Sequence, residues 1–433
     1  MSHLLPDWKS DRLKDVSAIN AVSLPADTDP DYEFDYLEIS NVDYHGIVDP
    51  KAIERIRYEN APSRARRRVG KNCTVISSVR PNLQAVAFLE NGRKDFVCST
   101  GFNVIQPAET KLSPKFAYYA LISEGARQYF EATAKGVGYP AVDDKDFHSF
   151  AVPLPPLPEQ QRIAAYLDVS CAAIDAAVAA KRRQIETLDV LRKTIIHKIV
   201  TRGLDESVEL KNSGVVWIGK IPSHWKVKRI KRYAQVKRGA SPRPIADPIY
   251  FDDDGEYAWV RIADVSASGR YLKKTTQVLS ELGASLSVKQ FPGDLIISIA
   301  GTVGKPIITS IKCCIHDGFI WFDRPIFNKD YVYFIFMSET PYQGLGKLGT
   351  QLNLNTDTIG QIFIPEPPIN ELVAIIDFLN RKTNEIDSIQ SNIHAQVKTL
   401  EQYRKSLVHE CVTGRRRVTE ADVAQAHRGR EAK

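Results

Sequence analysis

The sequence predicts a mixed α/β protein with an internal pseudo-twofold repeat, in which two globular α/β domains are separated by two long antiparallel coiled-coil helices. Three observations carry this. Residues 152–201 and 364–413 align without a gap at an offset of 212, and 16 of the 50 pairs are identical; average composition would give about 6% identity, or about three pairs. Residues 159–200 and 371–412 contain no proline or glycine and carry apolar residues at spacings of mostly three and four, the period of a helix with one buried seam. The remaining sequence alternates apolar and polar residues in short β-branched runs, the signature of strands.

A chain of 433 residues exceeds what one core usually serves, so two or more domains are expected. With 43% apolar and 25% charged residues, most of it should fold. The six cysteines show no CxxC pair, which suits reduced thiols in a cytoplasmic protein. Apolar stretches such as 295–300 are too short to span a bilayer.

In chain order, LPDWKSDRLKDV from Leu5 is echoed by IPSHWKVKRIKRY from Ile221, with Trp8 and Trp225 expected at domain-core edges. YLEISNVDYHGIV from Tyr36 pairs with WVRIADVSASGRYL from Trp259, each reading as a strand entering a turn. CTVISSVRPNLQAVAFL from Cys73 pairs with DLIISIAGTVGKPIITS from Asp294, two strands and a loop. STGFNVI from Ser99 parallels HDGFIWF from His316, and helical patterns follow over 114–133 and 329–337. These give boundaries at 1–150 for the first domain, 151–203 for a proline joint and first helix, 204–220 for a linker, 221–363 for the second domain and 364–413 for the second joint and helix. A charged tail, 414–433, is expected to be solvated.

PLPPLPEQQRI from Pro153 and PEPPINELVAI from Pro365 precede the helices. Prolines fix the backbone and exclude helix, so helix should begin near Glu159 and Glu371. Ile163, Leu167, Cys171, Ile174, Val178, Ile185, Leu188, Ile195 and Ile199 recur at spacings of mostly three and four, and in the second copy Ile375, Leu379, Ile386, Ile393, Val397, Leu400, Leu407 and Cys411 do the same. Two such helices bury their seams best against each other.

Catalytic motifs are missing. GTVGK, ending at Lys305, has Ile299 where a phosphate loop needs glycine. Neither the Pro155-Pro156 nor the Pro367-Pro368 pair is followed by the aromatic residue of an adenine methyltransferase, and only the second follows an acidic residue, Glu366. Asp95, Glu109 and Lys111 could form a metal-dependent nuclease triplet, but their spacing is loose and the second half has no equivalent. Cys313, Cys314 and His316 fall short of the four ligands of a zinc site, and their alignment with Cys98 favours burial. No metal or catalytic residue is assigned.

Basic charge stands out instead. SRARRRVGK, 63–71, places Arg64, Arg66, Arg67, Arg68 and Lys71 within nine residues, and 226–244 holds eight basic residues, among them Lys226, Lys228, Lys237, Arg238 and Arg243, with no acidic one. Runs of one sign suggest a polyanionic ligand. Arg80, Lys305 and the loops KGVGYPAVDDKDF, with Lys135 and Tyr139, and KLGTQLNLNTDTI, with Lys347, Gln351, Asn353 and Asn355, add side chains suited to bases and phosphates. On the duplicated helices, Glu159, Arg192, Lys193 and His197 repeat as Glu371, Arg404, Lys405 and His409, which points to a partner met twice.

The order LP…W, variable α/β domain, PLPPLPEQ run and long helix ending RK..H..VT, all repeated, resembles the specificity subunit of Type I restriction-modification systems up to about Thr413. PEPPINELV departs from the motif in the second copy. The resemblance implies two target recognition domains, each reading half of a split, asymmetric sequence in double-stranded DNA. It further implies two modification subunits that bind S-adenosylmethionine and methylate adenine, and restriction subunits that use ATP and Mg²⁺. No cofactor is then expected on this chain, and no membrane. The paired helices would act as a ruler for the unread spacer. The competing readings are a stand-alone nuclease or methyltransferase with duplicated DNA-binding domains, and a purely structural scaffold.

Overall fold

The computed structural model of the chain describes residues 7–431, apart from 44–45, 47, 50, 82–84, 92–94, 137, 139 and 343–353. It comprises two compact units, one of residues 1–182 and 394–433 and one of residues 183–393. The division falls inside both long helices, Leu157–Arg202 and Ile369–Val412.

In the first unit an antiparallel sheet runs in the order Ser17–Ile19, Phe102–Pro107, Cys73–Ser77, Val86–Leu89. A second sheet runs Glu54–Arg57, Glu33–Leu37, Phe96–Ser99, Ala65–Arg68, its central pair parallel. Leu37, Val75, Cys98 and Phe102 are fully buried in one cluster. They come from alternating positions of both sheets, so the core lies where two half-apolar sheets meet.

The second unit repeats that order with different residues. Gln235–Arg238, Phe319–Asp323, Leu295–Ser298 and Pro306–Thr309 form one sheet, extended by Tyr271–Leu272. Gln277–Leu279, Tyr257–Val260, Cys313–Ile315 and Val288–Gln290 form the other, again with a parallel central pair. Cys313 and Cys314 lie opposite Ala258 and Trp259, as Cys98 lies opposite Leu37. All six cysteines are buried free thiols.

Each proline joint is a strand as well as a stop signal. Ala151–Leu154 pairs with Lys9–Arg12, setting Pro153 opposite Ser10. Phe363–Glu366 pairs with Lys226–Arg229, setting Pro365 opposite Val227. The helices start two residues earlier than the sequence suggested, at Leu157 and Ile369; in the first, Pro158 is accommodated in the opening turn, where a missing N–H costs nothing. Both end on a left-handed glycine, Gly203 at φ 74° and Gly414 at φ 78°, which releases the chain without a Cβ clash.

Within each unit the two long helices pair antiparallel. In the first, Arg404 meets Asp175 at 2.9 Å and Arg182 meets Glu401 at 2.8 Å. In the second, Arg192 meets Asp387 at 2.5 Å and Gln390 donates to Asp189 at 2.8 Å. Ile163, Leu167, Cys171, Ile174, Ile386, Ile393, Val397 and Leu407 are buried. By length and apolar composition Leu157–Arg202 would also suit a bilayer; here its seam is covered by protein.

Two sequence expectations, the single helix and the tail, are corrected, and two others are made more specific. The helix over 114–133 is two, Pro114–Leu121 and Glu124–Thr133, because Ser123 caps the second by accepting from Ala126 N. The strands from Tyr36 and Trp259 lead into turns that are helical, Ile39–Asn41 and Ile262–Ala267. The linker carries its own strand pair, Leu210–Asn212 with Lys220–Pro222. The tail is not a solvated extension. Val418 is buried and its carbonyl accepts from Arg162 at 2.8 Å, Arg417 pairs with Asp7, and Glu420–Glu431 is helical.

Candidate nucleic-acid interface

The arginines of the first basic run lie on Ala65–Arg68, an edge strand, so successive side chains alternate between faces. Arg66 and Arg68 lie over the rings of Tyr58 and Tyr32, at 4.8 and 5.7 Å. Arg68 also donates to Tyr32 Oη at 3.2 Å, and that tyrosine donates to Asp95 at 2.8 Å. Arg66 likewise donates to Tyr58 Oη, and a guanidinium has five N–H donors, so each arginine keeps further donors for a carboxylate, phosphate or guanine. Arg64, 58% exposed, pairs with Glu38. Lys71 is exposed.

Arg67 points the other way. Its guanidinium is 15% exposed, donates to Phe102 O and to Asn103 Oδ1, and loses basicity to burial. It ties the edge strand to the neighbouring sheet and is unavailable to a ligand. The run therefore lacks acidic neighbours in sequence but has polar partners in space.

The second run is distributed over Lys226–Arg229 and Gln235–Arg238. Lys228 pairs with Glu366 at 2.9 Å, and Lys237 pairs with Asp323 at 2.6 Å while lying over Trp321. Arg238 donates to Asp317 O, and Arg243, 75% exposed, reaches Asp317 at 3.1 Å. Lys226 is exposed. The runs do not occupy equivalent places. Topology matches Ala65–Arg68 with Val288–Gln290, and Lys226–Arg229 with Lys9–Arg12. The two runs are therefore not copies of one binding strand, and each domain carries its basic charge on a different one.

Other expected contacts divide similarly. Lys135 pairs with Asp143 at 2.6 Å. Half-buried Lys305 donates to Ser266 O and Ser268 O, at 3.2 and 3.1 Å, and burial lowers its pKa. It caps the end of Ile262–Ala267 rather than facing a ligand. Asn355, read as a base contact, caps Thr356–Gln361 by accepting from Thr358 N at 2.8 Å. Arg80 has φ 51° and donates its N–H to Pro140 O. Tyr139, Lys347, Gln351 and Asn353 lie outside the described residues. Of the nuclease triplet, Glu109 accepts from Asn72 and Lys111 donates to Asp15 O.

The repeated helix residues also serve the chain itself. Arg192 and Arg404, expected at a partner surface, close the helix seam. Lys193 pairs with Glu339 at 2.7 Å, and Glu371 receives His224 Nε2 at 2.6 Å and Trp225 Nε1 at 2.9 Å. His197 Nδ1 lies 3.1 Å from Thr340 Oγ1, and burial lowers its pKa. Burial also lowers that of His409. Glu159 is half-buried, while Lys405 is exposed.

Sequence reasoning missed two features. Gln160 is buried, accepting from Ser113 N at 2.8 Å and donating to Lys111 O and Pro155 O; the only hint was an amide where the second copy has Leu372. Leu191 and Tyr403, at duplicated positions, are 45% and 50% exposed, apolar surface repeated on both helices.

Comparison with known proteins bears on these surfaces. Residues 6–187 and 222–399 match the Type I restriction modification DNA specificity domain. The chain belongs to that family. The two matches end at 187 and 399, positions 212 residues apart that the internal repeat makes equivalent, so the duplication is two specificity domains in tandem. The MjaVIII specificity subunit of Methanocaldococcus jannaschii is 26% identical over 344 residues, covering 76% of each chain. The HindI specificity subunit of Haemophilus influenzae is 22% identical over 443 residues, covering 84% of this chain and 90% of its own. Among solved structures, a chain from work on assembly and conformational transition of a type I R-M system superposes at a TM-score of 0.75, with 21% identity over 95% of this chain and 99% of that one. The HsdS subunit of Thermoanaerobacter tengcongensis gives 0.50, with 22% identity and coverage of 95% and 98%. Both show that the duplicated specificity fold extends over nearly the whole chain.

Proposed function

We propose that this specificity-family chain reads a bipartite, asymmetric sequence in double-stranded DNA, one half-site per α/β domain, and assembles the enzymes that act there. The observation that carries this is one strand order used twice with basic side chains on non-equivalent strands, joined to helices whose positions are repeated closely. Domains that diverge meet different ligands; helices that stay alike meet the same partner twice.

The partners would be two adenine-specific modification subunits holding S-adenosylmethionine, and ATP- and Mg²⁺-dependent restriction subunits, in the cytoplasm. The chain's own chemistry is binding. Arg66 and Arg68, with Arg64 and Lys71, would engage one half-site; Lys226, Lys237, Arg238 and Arg243 the other. The test is methylation mapping in cells carrying this chain with its modification subunits. Methylated adenines should fall in two unlike half-sites at fixed spacing, and exchanging residues 221–363 for those of a relative should change only one. A single continuous site, or turnover by the purified chain alone with S-adenosylmethionine or Mg²⁺, would refute the reading.

A further inference from the structure

Around the end of the second long helix the first unit holds a cavity of about 660 Å³, lined mostly by apolar surface from residues that include Tyr129, Phe150, Pro153, His409 and Val412. His409 Nδ1 is buried there with no hydrogen-bond partner among the described residues.

The second unit contains the duplicate of this wall, and there it is covered. His197, Val200 and Pro365 stand at the positions of His409, Val412 and Pro153. Ser338 Oγ donates to Ile335 O at 2.7 Å, as Ser123 Oγ donates to Ala120 O at 2.7 Å, which fixes the correspondence of the adjoining helices. Counted from those serines, Thr340 answers to Gly125. Thr340 Oγ1 meets His197 Nδ1 at 3.1 Å, whereas the nearest side-chain atom to a Cβ built on Gly125 is His409 Cε1 at 3.6 Å. The covering piece is the linker turn 215–218. Ile218 is buried, Val215 and Trp217 pack on the cluster that contains Val200, and the Trp217 ring centre is 6.2 Å from that of His197.

No described residue of the first unit repeats that turn. Only Asp7 and Trp8 precede Lys9–Arg12 among the described residues. The segment after Thr413 instead meets the first helix, with Arg416 over Tyr166 and Val418 O on Arg162. Among the described residues two equivalent walls thus differ in one respect: one is covered in cis, and the other is uncovered with its histidine lacking a partner.

We propose that this cavity is a receptor for a tryptophan-bearing apolar turn of a partner subunit, which supplies in trans what 215–218 supplies in cis. The proposal rests on reading the chain as a subunit of a complex. The occupant's apolar side chains would sit on Phe150 and Val412, and a hydroxyl or N–H would meet His409 Nδ1, the role of Thr340 in the other unit. The two ends of the duplication are then unequal toward partners, for only one accepts a segment from outside.

The probe is a peptide with this chain's own linker sequence, residues 212–221 (NSGVVWIGKI), added to the purified full-length protein. Binding is followed by fluorescence anisotropy and by the His409 imidazole resonance. The peptide should bind saturably and shift that resonance, and replacing its tryptophan by alanine should weaken binding at least tenfold. Ser149→Trp, at an exposed rim position, should abolish binding while leaving thermal unfolding and DNA affinity unchanged. Absence of binding, or equal binding by Ser149→Trp, overturns the proposal. Binding gained only when residues 1–6 are deleted also overturns it, because the occupant is then the chain's own amino-terminal segment. A protein that assembles with modification subunits but ignores the peptide refutes the receptor and leaves the assembly reading intact.

Discussion

Arg404 Nε lies 2.9 Å from the Asp175 carboxylate, with the guanidinium 19% exposed and the carboxylate 48% exposed. The positions are duplicates of Arg192 and Asp387, which also meet. The helix register is thus stated twice by the same pair of residue types. Removing Asp175 leaves a mostly buried cation without its partner. Asp175→Ala should therefore destabilise the first unit by about 1–2 kcal/mol, read from urea unfolding. Asp175→Arg with Arg404→Asp should recover part of that loss, and failure to recover any would show the pair to be incidental.

Arg67 and its neighbours should behave differently in DNA binding. Replacing Arg64 or Lys71 by alanine should lower the slope of log affinity against log salt by about 1 for each phosphate no longer neutralised, with stability nearly unchanged. Arg67→Ala should destabilise the fold, because Phe102 O loses its guanidinium donor and Asn103 Oδ1 keeps only Asn20, and should leave the salt slope of the folded protein alone. Fluorescence titration at three salt concentrations, beside thermal unfolding, separates the two.

The buried histidines give stability a direction with pH. Burial lowers the pKa of His197, His316 and His409 below the ordinary 6.5. A lowered folded-state pKa means that the unfolded chain takes up protons first as pH falls. The stability from keeping these rings neutral is fully present above 6.5 and is lost as pH falls from there through the folded values. Urea midpoints should drop between pH 7.5 and 5, and His197→Gln should make that drop shallower. A midpoint independent of pH over this range would contradict the assignment.

The thiols should be inert in the native protein. Burial raises Cys73 and Cys171 to about 11 and Cys98, Cys313, Cys314 and Cys411 to about 12, so almost no thiolate exists at neutral pH. An aromatic disulfide reagent should titrate no thiol in buffer and six in denaturant. A rapidly reacting thiol in buffer would mean that a strand such as Cys313–Ile315 opens readily.

Helix extent and pairing were legible because a repeat without proline or glycine, with seam residues such as Ile163 and Ile386, leaves one economical way to bury itself. Strand locations near Cys73 and Leu295 were legible from β-branched runs. The fate of polar side chains was not. Arg67, Lys305 and Asn355 look in sequence like residues awaiting a ligand, yet each serves a backbone or side-chain group nearby in space. The deciding partners of Arg67, Phe102 O and Asn103, lie more than thirty residues away. Nor did a charged composition at 414–433 disclose that Val418 would be buried. The contrast between Gln160 and Leu372 was visible, but its meaning depended on Ser113, brought close only by folding.

One unit is continuous in sequence, 183–393, whereas the other is assembled from 1–182 and 394–433. Synthesis reaches these pieces in order. The first α/β domain emerges with Ile163, Leu167 and Cys171 already in place, but the helix segment that covers them within their unit is translated more than 200 residues later. At the usual pace of a ribosome this interval is on the order of ten seconds or more. The second unit can close first, while the older half of the chain waits with an apolar stripe open to chaperones or to premature pairing.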